Sequence, residues 1–256
     1  MEAKNQIFWT IQEAESDFIS LLNSPERYLA PKERERYSGM RVEKRKTEWL
    51  LGRIAAKALI TSQGLPYHGQ SYSAIEIANH PEGAPFIKNP SHTTGTLSIS
   101  HREEVVVCAF CPQLERTLGI DIELIEPREI SFVEDFFTQA EADYAKELPF
   151  EPRLIWTTLV WSAKEAILKA WQKGLRLDTR SIEIFSINPD DLLSATTWWQ
   201  PLEWKSKVDG FPDCMLIWQK WDDFIITLAV TVPEEGHGFS IDGIIRIQLS
   251  NPLLAD

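Results

Sequence analysis

One pattern occurs twice in this chain and limits the folds open to it. A helix-compatible run carrying Trp49 leads to Gly64-Leu65 and then to the strand-like Ser73-Ala74-Ile75-Glu76-Ile77. A second such run, carrying Trp161, leads to Gly174-Leu175 and then to Ser181-Ile182-Glu183-Ile184. Each unit ends in an apolar strand, Val105–Phe110 or Phe224–Val230. A recurring order of helix and strand points to two similar supersecondary units, each burying its own apolar face. The expected fold is therefore α+β: two similar, pseudo-duplicated α/β halves, residues 1–118 and 119–256, packed around a central cleft where a ligand would sit. A chain of 256 residues buries about three quarters of its unfolded surface and needs no staples to fold.

Ile7–Trp9 reads as a strand, Gln12–Leu29 as a helix and Lys32–Tyr37 as a charged helical turn after Pro31. Val42–Thr61 reads as a long helix, with Trp49, Leu50, Ile54, Ala58 and Leu59 on its apolar stripe and a basic face opposite. Further strands are expected at Ser73–Ile77, Thr96–Ser100, Glu104–Phe110, Gly119–Leu124, Ile182–Ile187, Cys214–Gln219 and Phe224–Val232. Between them lie a helical region, Phe132–Leu148, interrupted before Pro149 and Pro152, and a helix Leu154–Trp171.

The net charge of −12 argues against a general nucleic-acid binder. Yet Lys32–Lys57 holds nine Lys or Arg against four Glu, a balance of +5. One basic patch on an acidic chain suits a specific small polyanion better than a polymer. The N-terminus lacks the order of a signal peptide and no apolar run reaches the length of a membrane span, so a cytoplasmic protein is expected. Cys108, Cys111 and Cys214 form no disulfide framework, and the C-x-x-C pair follows Val105-Val106-Val107, which reads as strand; buried core thiols are expected.

Gly119-Ile120-Asp121-Ile122-Glu123 alternates apolar residues with carboxylates. On a strand Asp121 and Glu123 share one face and Ile120 and Ile122 the other. About 40 residues on, Trp161-Ser162-Ala163-Lys164-Glu165-Ala166-Ile167-Leu168-Lys169 sets a third carboxylate between two lysines on a helix. Three oxygen ligands suit a hard cation such as Mg²⁺, which takes its remaining ligands from water and substrate phosphates, while lysines neutralise developing charge. Taken alone, the strand reads first as an edge with solvated acids and the helix as a face laced with salt bridges; the combination changes that weighting. His101, after Leu97-Ser98-Ile99-Ser100 and before Arg102, stands at a strand end where it can donate to a phosphate.

These motifs together, with Ser98-Ile99-Ser100-His101 upstream, resemble the larger, surfactin-synthetase-activating (Sfp) type of 4′-phosphopantetheinyl transferase, over about Pro31–Val230. The resemblance implies two similar α+β halves and transfer of the 4′-phosphopantetheine arm of coenzyme A to a serine of an apo acyl or peptidyl carrier protein, with release of adenosine 3′,5′-bisphosphate. It implies that Asp121, Glu123 and Glu165 hold Mg²⁺, that Glu165 and Lys169 are catalytic, and that Arg36, Arg53, Ser100, His101, Asp121, Lys164 and Lys169 contact coenzyme A. By analogy the carrier meets the segment Phe132–Leu148, and a monomer without nucleic-acid or membrane partners is expected. The chain departs from the family in its Gly83-Ala84-Pro85 turn, where many members carry a basic residue in the middle; Lys88 or Arg102 is the expected substitute. The residues by themselves also admit a metal-dependent phosphoester hydrolase with water as nucleophile, or a binding module for coenzyme A or a carrier domain.

Overall fold

A computed structural model describes residues 6–13, 24–62, 64–88, 95–232 and 240–249. They fall into two units, Met1–Thr117 with Phe239–Asp256, and Leu118–Gly238. The first unit contains β1 (Ile7–Glu13), α1 (Pro31–Ser38), α2 (Glu43–Ile60), β2 (Glu76–Asn79), β3 (Pro85–Lys88), β4 (Thr96–Arg102) and β5 (Val105–Cys111). All seven residues of β5 are buried, as a continuous apolar run demands. Strand β5 pairs antiparallel with β1 on one side and β4 on the other, and α2 packs on this sheet through Leu50, Ile54, Leu59 and their neighbours. Helix α2 falls where its periodicity places it. Of the helix expected at Gln12–Leu29, Gln12 and Glu13 belong to β1, Pro25–Arg27 form a 3₁₀ turn, and residues 14–23 lie outside the described residues.

In the second unit β6 (Leu118–Leu124) is followed by α3 (Ile130–Phe136), α4 (Gln139–Glu147) and α5 (Phe150–Ala170). The expected helix Phe132–Leu148 is thus two helices, because Thr138 caps a new one: its hydroxyl accepts from the Glu141 N–H, and Glu141 reaches back to the Thr138 N–H. Helix α5 starts four residues before the expected Leu154. Pro152 lies in its first turn, where the missing N–H has no partner to lose. Then come β7 (Ile182–Ile184), α6 (Pro189–Leu193), β8 (Gln200–Pro201), β9 (Trp204–Ser206), β10 (Cys214–Trp221) and β11 (Phe224–Thr231). Strands β6, β11, β10 and β8 form one antiparallel sheet in that order, with α5 packed on it. The last strand, β12 (Ile244–Arg246), pairs parallel with β1 and gives the first sheet the order β12-β1-β5-β4. The division therefore falls between Thr117 and Leu118, and residues 239–256, expected in the second half, count with the first unit.

A buried ion pair stands at the same place in each unit. Glu33 of α1 accepts from the Ala30 N–H at 2.8 Å and the Ile77 N–H at 3.2 Å, and pairs with Lys57 of α2, which also donates to the Tyr28 carbonyl at 2.7 Å. Glu141 of α4 accepts from the Thr138 N–H and the Ile184 N–H, both at 2.7 Å. Its partner is Lys164 of α5, at 2.7 Å, whose ammonium also donates to the Phe136 carbonyl at 3.1 Å. In both, one carboxylate ties a short helix to the long helix and to the following strand. Burial pulls the Lys57 ammonium down to about 8 and Lys164 in the same direction, each against the upward pull of its glutamate. Two of the nine cations in the basic segment, Arg53 and Lys57, are therefore interior rather than part of an exposed basic face.

The three cysteines are free and buried, and burial pushes the thiols up, Cys214 to about 12. Among the described residues no helix is long and apolar enough to cross a membrane. Removing one member of a buried pair leaves an uncompensated charge, at a cost of about 3–5 kcal/mol. Glu141→Gln and Lys164→Met should each lower unfolding free energy in urea by about that much, and the double variant by clearly less than their sum. Additive losses would show that the two side chains do not act as a pair.

Candidate active site

The geometry begins with a missing side chain. A Cβ on Gly119 would lie 2.0 Å from the Ala166 carbonyl oxygen and 2.6 Å from the Ala170 nitrogen. Only glycine lets α5 lie this close to β6, and any larger residue would push helix and strand apart. Residues 119, 121 and 123 share one strand face, so Asp121 and Glu123 are turned toward the helix. Asp121 is only 4% exposed, which removes the reading of a solvated acidic edge. On the helix Trp161, Glu165 and Lys169 are spaced by four and form one stripe.

That stripe meets the strand residue by residue. Lys169 Nζ donates to Asp121 Oδ1 at 2.6 Å and to the Ile120 carbonyl at 3.2 Å. Trp161 Nε1 donates to Glu123 Oε1 at 2.9 Å, and Arg128 Nη2 donates to Glu123 Oε2 at 3.1 Å. Burial pushes the Glu165 carboxyl up to about 7; Lys169 opposes that shift, while Asp121 and Glu123 add to it by repulsion. Among the described residues no group of three His, Cys, Asp or Glu side chains is already gathered as a metal-holding cluster. The donor chemistry nevertheless fits a hard dication: all three donors are carboxylates, two balanced by cations, and the third favours its neutral form through burial first and repulsion from the other two second.

Lys164, expected at the ligand phosphates, is not in this group. Its side chain is fully buried and its ammonium is committed to Glu141. Adjacent helix residues point about 100° apart, so Glu165 and Lys164 cannot face the same way. The expectation of a ligand contact at Lys164 is withdrawn on that ground.

In the first unit, Arg36 Nη1 and Arg53 Nη2 both donate to Asn79 Oδ1, at 2.8 and 2.7 Å, and Asn79 Nδ2 donates to the Gly83 carbonyl at 2.6 Å. One asparagine thus ties both arginines to the Gly83-Ala84-Pro85 turn, where Gly83 takes φ +100°. Arg36 is exposed and able to meet a ligand. Arg53 is 5% exposed, lies 3.6 Å from Glu33, stands over the Trp49 ring and shares the Asn79 oxygen with Arg36. His101 is exposed, with Nδ1 3.9 Å from Glu48, and Ser100 beside it is buried. Lys88 lies across from Glu76 at 3.6 Å. Sequence reading missed Asn79 and Arg128, which carry no motif. It also missed the grip of Trp161 on Glu123, although their positions on helix and strand were legible.

Residues 117–229 match the family model of the 4′-phosphopantetheinyl transferase superfamily. Within it, the chain is similar to the 4′-phosphopantetheinyl transferase Sfp of Bacillus subtilis (strain 168), at 26% identity over 157 residues, 61% of this chain and 66% of that protein. It is also similar to the 4′-phosphopantetheinyl transferase gsp of Aneurinibacillus migulanus, at 31% identity over 102 residues, 40% of each chain. The chain thus spans less than two thirds of these relatives' lengths. A holo-(acyl-carrier-protein) synthase from Bacillus anthracis str. Ames, solved in complex with CoA (3′,5′-ADP), aligns with TM-score 0.37 and 30% identity over 41% of this chain and 93% of that one.

The raised Glu165 carboxyl makes a thermodynamic prediction for metal-free protein. A folded value of about 7 against an ordinary 4.5 means that the native state holds the proton more tightly, so the stability it contributes is present below pH 4.5 and lost as pH rises through 7. Glu165→Gln mimics the protonated side chain at every pH. Its melting temperature should match the parent near about pH 5 and exceed it near about pH 8. An equal difference at both would contradict the shift.

Proposed function

We propose that this protein transfers the 4′-phosphopantetheine arm of coenzyme A to a serine of an apo acyl or peptidyl carrier protein. The observation that supports this best is the glycine-permitted contact of α5 with β6, which brings Asp121, Glu123, Glu165 and Lys169 together inside the region of the family match. Asp121, Glu123 and Glu165 would hold Mg²⁺. Held there, the ion would supply charge neutralisation at the diphosphate of coenzyme A.

The chain's own residues have separate tasks. Arg36, Ser100 and His101 are proposed to contact the 3′-phosphate end of coenzyme A, with Asn79 fixing Arg36 in place. Glu165 takes the proton of the incoming serine hydroxyl, directly or through a water. The serine oxygen forms a bond to the phosphorus that carries pantetheine, as the bond from that phosphorus to the bridging oxygen breaks. The electron pair leaves with adenosine 3′,5′-bisphosphate. Lys169 sits where it can meet the charge that accumulates on the phosphate oxygens. Because Ala84 offers no cation, Lys88 or Arg102 is proposed to hold the nucleotide in its place. For the carrier, the segment Phe132–Leu148 and the start of α5 line a groove of about 580 Å³, with the exposed side chains of Ile130 and Phe150 at hand. The repeated Glu–Lys latch in the two units supports the reading of an internal duplication.

The test is a mass measurement. Incubated with coenzyme A, Mg²⁺ and a panel of apo carrier proteins, the protein should add a phosphopantetheine-sized mass to at least one carrier, and Glu165→Gln should lose at least about 10²-fold in rate. Release of nucleotide with every carrier unmodified would replace transfer by hydrolysis. In the same preparation, coenzyme A affinity that survives both Lys88→Ala and Arg102→Ala would remove the proposed substitute for Ala84.

A further inference from the structure

Arg128 belongs to none of the roles above, yet it holds a carboxylate assigned to the metal. It lies five residues beyond Glu123, between β6 and α3, with its Nη2 3.1 Å from Glu123 Oε2. Both side chains are largely buried, 10% and 14% exposed. The guanidinium carbon stands 5.0 Å from the centroid of the Phe132 ring, and Phe132 is itself packed edge-on against Trp161 at 4.8 Å. A planar cation fixed over an aromatic face in this way does not swing freely into solvent. The same Trp161 holds the other oxygen of Glu123 from the opposite end of the carboxylate.

We propose that Arg128 is a built-in counter-ion that competes with the divalent cation for Glu123, and so sets how weakly the site holds its metal. The inference rests on the reading of Asp121, Glu123 and Glu165 as metal ligands. The arrangement is paired: Lys169 neutralises Asp121 as Arg128 neutralises Glu123, so the carboxylate pair is charge-balanced without an ion. A dication that binds Glu123 must either displace the guanidinium or share the carboxylate with it, and both lower affinity.

The opposite sign would follow if Arg128 mainly oriented Glu123. Geometry argues against that. Without Arg128 the Trp161 N–H still fixes Glu123 Oε1, so orientation survives and only the competing charge is lost. Trp161 and Arg128 are thus both positioned on one carboxylate but are predicted to act in opposite directions. Trp161 presents it, and Arg128 withholds it.

The experiment titrates metal-free protein with Mn²⁺, a hard oxygen-seeking dication like Mg²⁺, and follows free ion by electron paramagnetic resonance, with neither coenzyme A nor carrier present. Arg128→Gln should bind Mn²⁺ about tenfold more tightly than the parent, the scale expected when one close like charge is removed. Arg128→Lys, which keeps the charge, should stay near the parent, and Trp161→Phe should bind more weakly. Should Arg128→Gln melt below the assay temperature, Arg128→Met keeps the stem over Phe132 and carries the same expectation. Equal or weaker binding in the charge-removing variants, with the parent binding normally, overturns the role of Arg128 and leaves the metal-site reading intact. Absence of Mn²⁺ binding in the parent and in the charge-removing variants alike overturns both.

Discussion

The approach of α5 to β6 at Gly119 is the contact on which the arrangement of the second unit's carboxylates depends. Elsewhere in this unit helix and sheet are separated by side chains such as Ile155, Leu159 and Ile225 in an ordinary apolar core. At Gly119 backbone meets backbone, and the neighbouring side chains have no room to turn away. Lys169 is driven onto Asp121 and Trp161 onto Glu123 as a result. A polar cluster placed this far inside a fold is costly unless each member finds a partner. Lys169 and Trp161 come from one helical stripe, and so one rigid-body contact sets the relative positions of Asp121, Glu123, Glu165 and Lys169, with Arg128 added from the loop after β6.

The two buried glutamates show how that contact is kept in register. Glu141 fixes three things at once: the start of α4, the rotation of α5 through Lys164, and the position of β7 through the Ile184 N–H. With Lys164 drawn to one side of α5, Glu165 and Lys169 are presented on another. Glu33 does the same for α1, α2 and β2, where no carboxylate cluster like that of β6 was read in the sequence. The latch is therefore a device of the scaffold, and the carboxylate cluster of the second unit is added to it.

Much of this was legible in the sequence because period alone carries it. The alternation from Gly119 to Glu123 placed Asp121 and Glu123 on one face, and the apolar run after Glu104 was read as strand; the helix face was read only in part, since Lys164 was grouped with Lys169. What could not be read was which charge meets which. Lys164 and Lys169 look alike on paper, and nothing local says that the first is bound for Glu141 and the second for Asp121. The capping pattern Thr138-Gln139-Ala140-Glu141 was a usable signal for a new helix, but it does not announce that its glutamate will also accept from Ile184. Arg128 and Asn79 stand in loops and at a strand end, where contacts are set by tertiary placement and leave no periodic trace.

The parallel pairing of β12 with β1 has a consequence for the order in which the chain can mature. Strand β1 is synthesised before the second unit, and its partner at Ile244–Arg246 only after it. Until then the outer edge of β1, with Ile7, Phe8 and Trp9, is an open template for any other strand in reach. During translation the first sheet must wait, with one side satisfied by β5 alone, while the entire second unit is made and folds. The second unit is in this sense an insertion into the first, and β1 stays open to mispairing until that insertion has been made.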